Sequence, residues 1–307
     1  MLPNYLVGTG GWAYFRVPDK PSLKAYSEIF NFVEVNYTFY GYPDTRLVEH
    51  WRRTVPRSFT FAVRCHQDLT HRIGLKPVDV AYEVFARMKT YCGILNAPFL
   101  VLETPNSYST DKDMLDAKAF FSSANLGGVR LVWEIRTPIT AYAVNLMRDF
   151  NIVHSADLSK EKPAYTTDVV YSRLFGKGQQ NLYQFTDEEL IDIDGKVLEG
   201  LASGAKVAAL SYHGVRMNSD AARFMHYKIT GKFVSLTSLT GIDSARAALS
   251  EDATFPSSKQ TLIEQQGWKV IDLTAEKRVH LSELLARLPD CTYHSMEDVV
   301  RALEIRP

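Results

Sequence analysis

The chain has 307 residues, of which 46% are hydrophobic, and its 35 basic and 35 acidic side chains give a net charge of zero. This composition excludes a disordered chain, and the zero net charge excludes the bulk basic surface of many nucleic-acid-binding proteins, although it leaves room for a local basic groove. Three cysteines without paired spacing argue against a disulfide framework or a cysteine zinc site. Because the sequence shows neither a signal peptide nor an apolar run of membrane-spanning length, we expect a cytoplasmic protein with no membrane partner.

Apolar segments rich in strand-forming residues recur along the first 230 residues. Helical patterns occupy seven of the eight connections or tails that follow them, and the sixth crossover, residues 158–167, is the weak one. This alternation predicts a (β/α)8 TIM-type barrel over residues 1–230, with a doubly wound open sheet as the alternative. The predicted strands cover residues 5–7, 32–36, 59–64, 98–105, 129–136, 151–154, 168–175 and 206–211.

The remainder of the chain has a different pattern. Residues 231–254 are rich in Ser and Thr and lack strong periodicity, which predicts a linker. Residues 255–307 contain capped helical patterns and a short apolar strand at 270–273, which predicts a small, mostly helical C-terminal domain. About 50 residues are few for an independent core, so we expect this segment to pack on the barrel or on a protein or nucleic-acid partner.

The stretch FVEVNYTFY, residues 32–40, begins as a strand but carries two polar residues among apolar ones. Glu34 and Asn36 are two positions apart, and side chains at that spacing on a strand point to the same face. An ionised carboxylate is costly to bury without partners. The pattern therefore predicts either a hydrated pocket or a buried group of donors at this strand.

Nearly every predicted strand ends at a polar residue, and in barrel enzymes the active site lies at that end of the strands. Glu34, Glu103 and Glu134 are the least usual, because each lies within or directly ends an otherwise apolar strand. Carboxylates brought together attract a proton, a metal ion or an arginine. The full set of polar strand-end residues is Thr9, Trp12, Glu34, Asn36, Arg64, His66, His71, Glu103, Glu134, Arg136, His154, Asp157, Arg173, Lys177 and His213.

Three interpretations of these residues stay open. In the first, one or more divalent metals (Mg, Mn or Zn) bind to Glu34, Glu103, Glu134, Asp157 and the histidines and activate water. In the second, one Glu acts as a general acid or base without a metal, while Arg136 and Arg173 hold an anionic substrate. In the third, the carboxylates are structural ion pairs beneath a binding surface. No organic cofactor is implied.

Several motifs occur in the order seen in one family. They are GTGGW (8–12), VEVNYTFY (33–40), Trp51, FTFAVRCHQDLTH (59–71), VWEIR (132–136), YSRLFGKG (171–178) and NSDAARF (218–224). Over residues 5–229 the chain thus resembles the domain-of-unknown-function family numbered seventy-two, which includes the YecE-like proteins. The resemblance implies a TIM-type barrel with a charged pocket at the strand ends, and implies no established reaction. The tail, with FPSSKQTLIE and LPDCTYHSMEDVV, more weakly resembles a second small uncharacterised family.

The chain departs from the usual family pattern at two places. Glu103 stands where Gln is usual, and Phe175 stands where His is usual before Gly176. An added carboxylate and a missing His are expected to shift the pocket toward negative charge.

The function that the residues favour is metal-assisted hydrolysis of a phosphodiester or sugar-phosphate substrate, in the manner of a nuclease or phosphoesterase. The alternatives are a metal-free carbohydrate-active barrel and a non-catalytic binding protein. The expected ligand is a small phosphate- or sugar-containing molecule or a locally bound nucleic acid. Predicted catalytic residues are Glu34, His71 and Glu134; predicted substrate-binding residues are Trp12, Asn36, Tyr40, Arg136, Arg173 and Lys177.

Overall fold

The most apolar segments of the sequence form parallel strands. In the computed structural model, which describes residues 4–304, eight strands coincide with the eight predicted segments. Most of their side chains are buried, as expected for parallel strands that are covered on both faces. The strands are β1 (Tyr5–Thr9), β2 (Phe32–Val35), β3 (Thr60–Arg64), β4 (Phe99–Thr104), β5 (Arg130–Ile135), β6 (Val153–His154), β7 (Val169–Leu174) and β8 (Val207–Tyr212).

These strands form one sheet that is nearly closed into a barrel. β1 to β6 pair in chain order, β8 lies on the other side of β1, and β7 pairs with β8. A parallel bridge between Ser155, just after β6, and Tyr171 of β7 joins the two ends of the sheet. This topology confirms the predicted (β/α)8 barrel and excludes the open sheet that was the alternative.

Helices follow the strands with the expected alternation. In the described residues, the sixth crossover has no helix. The helix after β5 begins at Ala141, where the Thr140 hydroxyl accepts a hydrogen bond from Ala143 N at 3.2 Å. A π-helical turn, Asp68–Ile73, follows β3. The helices are α1 (Ser22–Ile29), α2 (Tyr37–Tyr40), α3 (Thr45–Thr54), α4 (Asp79–Leu95), α5 (Asp111–Ser123), α6 (Ala141–Asp149), α7 (Asp187–Ala202) and α8 (Met217–Thr230).

One local prediction about β2 was wrong. The strand ends at Val35, and Asn36 adopts a right-handed helical conformation at the start of α2. The period-2 argument that placed Glu34 and Asn36 on one strand face therefore does not apply, because the aromatic residues after Asn36 turn into a helix. Both side chains nevertheless belong to the carboxyl end of the barrel.

The chain divides into two compact units. Of the described residues, the first unit contains those from Asn4 to Leu174 together with Gly195–His213, and it holds β1 to β8. An apolar core fills the interior of this barrel beneath the polar strand ends. Its buried residues are Phe32, Ala62, Phe99, Val101, Val132, Val153, Val169, Tyr171 and Ala209.

Of the described residues, the second unit contains Phe175–Asp194 and those from Gly214 to Glu304. Part of the predicted linker is structured here: α9 (Gly241–Leu249) buries Ala245 and Leu249 in the same hydrophobic core as Leu262 and Leu285. Its other elements are α10 (Lys259–Gln266), α11 (Leu281–Leu285), α12 (Met296–Glu304) and two antiparallel pairs, β9 (Ser257–Ser258) with β12 (Thr292–Tyr293) and β10 (Val270–Asp272) with β11 (Arg278–His280). Residues 305–307 of the predicted domain lie outside the described residues.

Across residues 4–304, no helix combines the length and apolar character needed to cross a bilayer.

Candidate functional site

Three glutamates meet at the carboxyl ends of the barrel strands. Glu103 on β4 and Glu134 on β5 are in-register neighbours on adjacent parallel strands. Glu34, on β2, is completely buried, and Glu103 is nearly so. Because parallel strands end on the same side of a barrel, their carboxylates point into one region.

Arg173 contacts all three carboxylates. Its Nε lies 3.0 Å from Glu34 Oε1, and its Nη1 donates to both Glu103 and Glu134. Burial by itself would lower the pKa of Arg173, but the three glutamates raise it well above its usual value. A buried ion pair is tolerated only when its charges are compensated in this way.

Arg64 and Arg136 complete the arrangement. Arg64 Nη2 lies 2.5 Å from Glu103 Oε2, while Arg136 lies 3.0 Å from Glu103 Oε1 and 3.2 Å from Glu134 Oε1. Although burial raises the pKa of Glu103, Arg173, Arg64 and Arg136 together lower it below the usual value. We call Glu34, Arg64, Glu103, Glu134, Arg136 and Arg173 the charged cluster.

The charged cluster contains equal numbers of positive and negative groups, and one side of it is exposed to solvent. Three guanidinium groups face three carboxylates, so the carboxylate that Glu103 adds is compensated rather than left as negative charge. The Arg136 side chain is 40% exposed and that of Glu134 is 14% exposed, whereas Arg64 and Arg173 are buried. A ligand would therefore meet Arg136 and Glu134 first.

Tyr171, on β7, and His213, directly after β8, both lie beside Glu34. The Tyr171 hydroxyl donates to Glu34 Oε2 at 2.9 Å. His213 Nε2 lies 3.7 Å from Glu34 Oε1 and 3.0 Å from the Ser211 hydroxyl. Burial, and then the nearby arginines, hold the pKa of His213 well below its usual value, so this imidazole is neutral.

His71, on the π-helical turn after β3, is linked to the charged cluster through Phe39. Its ring packs edge-on against Phe39, whose face is covered by the Arg64 guanidinium. Burial lowers the pKa of His71, Glu103 opposes the shift, and Arg64 and Arg136 reinforce it. His71 is therefore a neutral imidazole near pH 7, with its Nδ1 2.9 Å from the Thr70 hydroxyl. Single-turn π segments often occur at functional sites.

An aromatic cleft lies beside the charged cluster. It encloses about 550 Å³ and is lined by Gly10, Gly11, Trp12, Ala13, Tyr14, Asn36, Tyr37, Tyr40 and Trp51. Trp12 and Trp51 meet edge to face at 5.3 Å, and Tyr40 is 67% exposed. Asn36 joins the two regions, because its Oδ1 accepts from Arg64 Nη1 at 2.7 Å while its Nδ2 donates to Gly10 O at 3.1 Å.

The predicted metal ligands are not arranged as a metal site. Glu34, Glu103 and Glu134 surround the Arg173 guanidinium, so a cation supplied by the chain occupies the place between them. The Asp157 carboxylate accepts from Ser159 N at 3.0 Å and lies 3.5 Å from Lys160 Nζ. Throughout residues 4–304, no group of three or more His, Cys, Asp or Glu side chains is placed to hold a metal ion.

Lys177 belongs to the second unit, where its Nζ lies 3.2 Å from Glu189 Oε1. The other predicted catalytic and substrate-binding residues lie in the first unit, in the charged cluster, at His71 or in the aromatic cleft, whereas the predicted metal ligand Asp157 belongs to none of these.

Sequence reasoning left out three residues that contact Glu34 or Glu103. Arg64 and His213 were visible as polar strand-end residues but had no feature that singled them out. Tyr171 is two positions before Arg173 on β7, so strand periodicity places both on one face. The sequence pattern therefore indicates that Tyr171 shares a face with Arg173, but it does not indicate that the Tyr171 hydroxyl bonds to Glu34.

Three comparisons place this geometry among known proteins. The sequence profile described as "Protein of unknown function DUF72" matches residues 6–227. The UPF0759 protein YunF of Bacillus subtilis is 31% identical over 90 residues, which are 27% of this chain and 32% of YunF. The match thus spans about a third of that curated relative.

Two solved structures share the fold. A DUF72 family protein from Thermotoga maritima superposes with a TM-score of 0.59 at 20% identity, covering 72% of this chain and 98% of its own. Another, from Enterococcus faecalis, gives a TM-score of 0.57 at 14% identity and covers 75% and 98%. With the profile match over most of the chain, and with the barrel and its strand-end cluster in place, this protein belongs to the DUF72 family.

Proposed function

We propose that the barrel is a hydrolase that acts on a phosphodiester or sugar-phosphate substrate at the charged cluster. The observation that carries the proposal is the link through Asn36, which lines the aromatic cleft and accepts a hydrogen bond from Arg64. A base or sugar ring stacked in the aromatic cleft would place its polar substituents beside the guanidinium groups.

Arg136 is the group that would first bind the phosphate. It is the most exposed arginine of the charged cluster, and its planar guanidinium suits bidentate contact with phosphate oxygens. The incoming phosphate would replace Glu134 as the acceptor for the Arg136 guanidinium. The same guanidinium would stabilise the negative charge that develops in the transition state, while the buried Arg173 would hold Glu103 and Glu134 in position beside it.

His71 would act as the general base. Its lowered pKa keeps the imidazole neutral near pH 7, and a neutral imidazole can accept a proton from the water that attacks phosphorus. The bond from phosphorus to the ester oxygen would break, and the departing oxygen would take a proton from solvent. Glu34 has no exposed surface, so in this proposal it positions Arg173 rather than touching the substrate.

The proposal assigns no step to a metal ion. The sequence pattern favoured metal assistance, but a divalent ion at the three glutamates would have to displace Arg173 from all of them. Charge stabilisation by arginine is the chemistry that these residues support directly.

A substrate panel tests the proposal. Bis(4-nitrophenyl) phosphate, single-stranded DNA and RNA, and sugar phosphates are incubated with the full chain, with and without EDTA. We expect turnover that survives EDTA and falls about 100-fold or more in His71→Gln and Arg136→Gln. His50→Gln and Arg53→Gln, on exposed positions of α3, are the matched controls and should retain activity. Activity abolished by EDTA would replace the arginine mechanism with a metal-dependent one.

A metal-free glycosidase is the second candidate, and charge balance favours it. Three arginines against three glutamates suit a neutral substrate, and Glu103 and Glu134 are in-register neighbours that contact the same nitrogen of Arg173. Glycosidases use two carboxylates that flank the scissile bond. Release of 4-nitrophenol from 4-nitrophenyl glycosides, with no turnover of phosphate esters, would select this function. No turnover of either class, with ligand binding retained, would leave a non-catalytic binding protein.

A further inference from the structure

The second unit contains a cleft of its own. It encloses about 670 Å³, and all of its lining residues belong to that unit. One wall is the loop before α7, and the other is formed by the end of α10, the turn that follows it and the start of α11. We call it the second-unit cleft; its lining residues are Gly178, Gln179, Gln180, Leu182, Tyr183, Ile263, Glu264, Gly267, Trp268, His280 and Ser282.

The loop wall is held in a backbone conformation that is unusual for its residues. Gln180 and Asn181 have φ angles of 50° and 62°, so two consecutive residues other than glycine are left-handed. The loop is closed by Leu182 N, which donates to Gln179 O at 2.9 Å, and by Val215 N, which donates to Asn181 O at 3.3 Å. Conformations of this kind persist where the surrounding structure enforces them, and they are frequent at ligand-binding sites.

The floor of the second-unit cleft is organised by Glu189. The Tyr183 hydroxyl donates to Glu189 Oε1, and His280 Nε2 lies 3.5 Å from Oε2. Burial raises the pKa of Glu189, but the contacts from His280, Tyr183 and Thr186 lower it to about 2. This carboxylate therefore stays ionised and holds the Tyr183 hydroxyl, while His280 Nδ1 lies 3.3 Å from Trp268 O. Both rings are thus held in place before any ligand arrives.

The lining chemistry defines a ligand class. Trp268 and Tyr183 offer ring surfaces, Gln179 and Gln180 offer amides, and Glu264 offers a carboxylate. The indole Nε1 of Trp268 donates to Gln265 O at 2.8 Å, which fixes its orientation. Among the described lining residues none is Lys or Arg, and the cations beside Glu189 and Trp268 are paired with carboxylates: Lys177 with Glu189, Arg216 with Glu251 and Lys269 with Asp252. The lining itself therefore supplies no positive charge for a phosphate.

We propose that the second-unit cleft binds a neutral saccharide. The apolar face of a sugar ring would stack on Trp268, and its hydroxyl groups would hydrogen-bond to the Gln180 amide, the Glu264 carboxylate and the Ser282 hydroxyl. Aromatic walls with a few placed polar groups are the general form of a small-molecule site. This inference is independent of the reaction at the barrel.

Isothermal titration calorimetry on the full chain tests this assignment with maltose, cellobiose and chitobiose as probes, and with inorganic phosphate and AMP for comparison. We expect at least one disaccharide to bind and its Kd to rise about tenfold or more in Trp268→Ala, Gln180→Ala and Glu264→Gln. Gln265→Ala is the matched control, because this exposed side chain does not line the cleft and the substitution keeps its backbone oxygen.

The remaining variants decide the assignment if Trp268→Ala does not fold. A disaccharide Kd that rises in Gln180→Ala and Glu264→Gln but not in Gln265→Ala supports saccharide binding in the second-unit cleft. The assignment is overturned if no disaccharide binds at 20 mM, about twenty times a millimolar Kd. It is also overturned if phosphate or AMP binds with the same dependence on Gln180, or if Trp12→Ala in the aromatic cleft, rather than the second-unit variants, abolishes saccharide binding.

Discussion

Arg173 and Glu34 form an ion pair inside the barrel, with Nε 3.0 Å from Oε1 and no more than 1% of either side chain exposed. The two residues are 139 positions apart in the chain, on β7 and β2. Their charges are removed from water, so each depends on the other and on the remaining members of the charged cluster for compensation. The pair links the stability of the barrel to the geometry of its candidate site.

Replacing Arg173 should therefore be strongly destabilising. In Arg173→Met, Glu34 and Glu103 lose a buried donor, and we expect the free energy of unfolding to fall by about 3–5 kcal/mol. Urea denaturation measures this loss. Glu28→Gln removes an ion pair with Lys20 whose two side chains are about half exposed, and should cost no more than about 1 kcal/mol. Equal losses in the two variants would show that Arg173 carries no special role in the fold.

The lowered pKa of Glu103 predicts acid sensitivity. A carboxylate whose pKa is lower in the folded state contributes stability above its ordinary value of 4.5, and this contribution is lost as the pH falls through the folded-state pKa. Unfolding free energies measured between pH 7 and pH 3 should therefore decrease toward acid. The decrease should be less steep in Glu103→Gln, which cannot titrate. Parallel curves for the two proteins would contradict the assigned pKa shift.

The titration of His71 can be tested without any substrate. Its imidazole should titrate below pH 6.5 in an NMR experiment, with His71→Gln used to assign the signal. Arg136→Gln removes a positive charge that lowers this pKa, so the midpoint should move up. Glu103→Gln removes a negative charge that raises it, so the midpoint should move down. Shifts of the same sign in both variants would be inconsistent with the charged cluster acting on His71.

Gly10 is required by the close approach of His213. A Cβ atom at Gly10 would lie 2.3 Å from His213 Cε1 and 2.4 Å from Nδ1. Gly10→Ala should therefore displace the buried imidazole and lower the unfolding free energy by about 1–3 kcal/mol. Gly93→Ala, in α4 with nothing within 4 Å of the added atom, is the control and should be neutral or stabilising by up to about 1 kcal/mol. Thermal unfolding of the two variants measures the difference, and an unchanged Gly10→Ala protein would mean that His213 can move freely.

The barrel was predictable because its signals are local. Each strand is a short apolar run, each crossover has its own helical pattern, and the spacing between them allows parallel pairing. Glu34, Glu103 and Glu134 could be identified as site candidates for the same reason, since a carboxylate inside an apolar strand is visible without any knowledge of its neighbours. The family motifs within residues 6–227 are likewise short stretches that can be recognised from the sequence without its three-dimensional neighbours.

Only the tertiary structure decided what those carboxylates do. Whether the three glutamates bind a metal or an arginine depends on which strand ends meet across the barrel. Arg173 and Glu34 are 139 residues apart, and the periodicity of the sequence gives no information about contacts at that separation. Asn36 and the predicted linker differ from expectation for a related reason. Helix α9 is stabilised because Ala245 and Leu249 are buried against residues later in the chain. Helix α2 begins directly after Asn36, so the alternation of side chains along β2 does not continue there. Pairing and burial between distant segments outweigh weak local preferences, so these features follow from the folded chain and not from the sequence pattern.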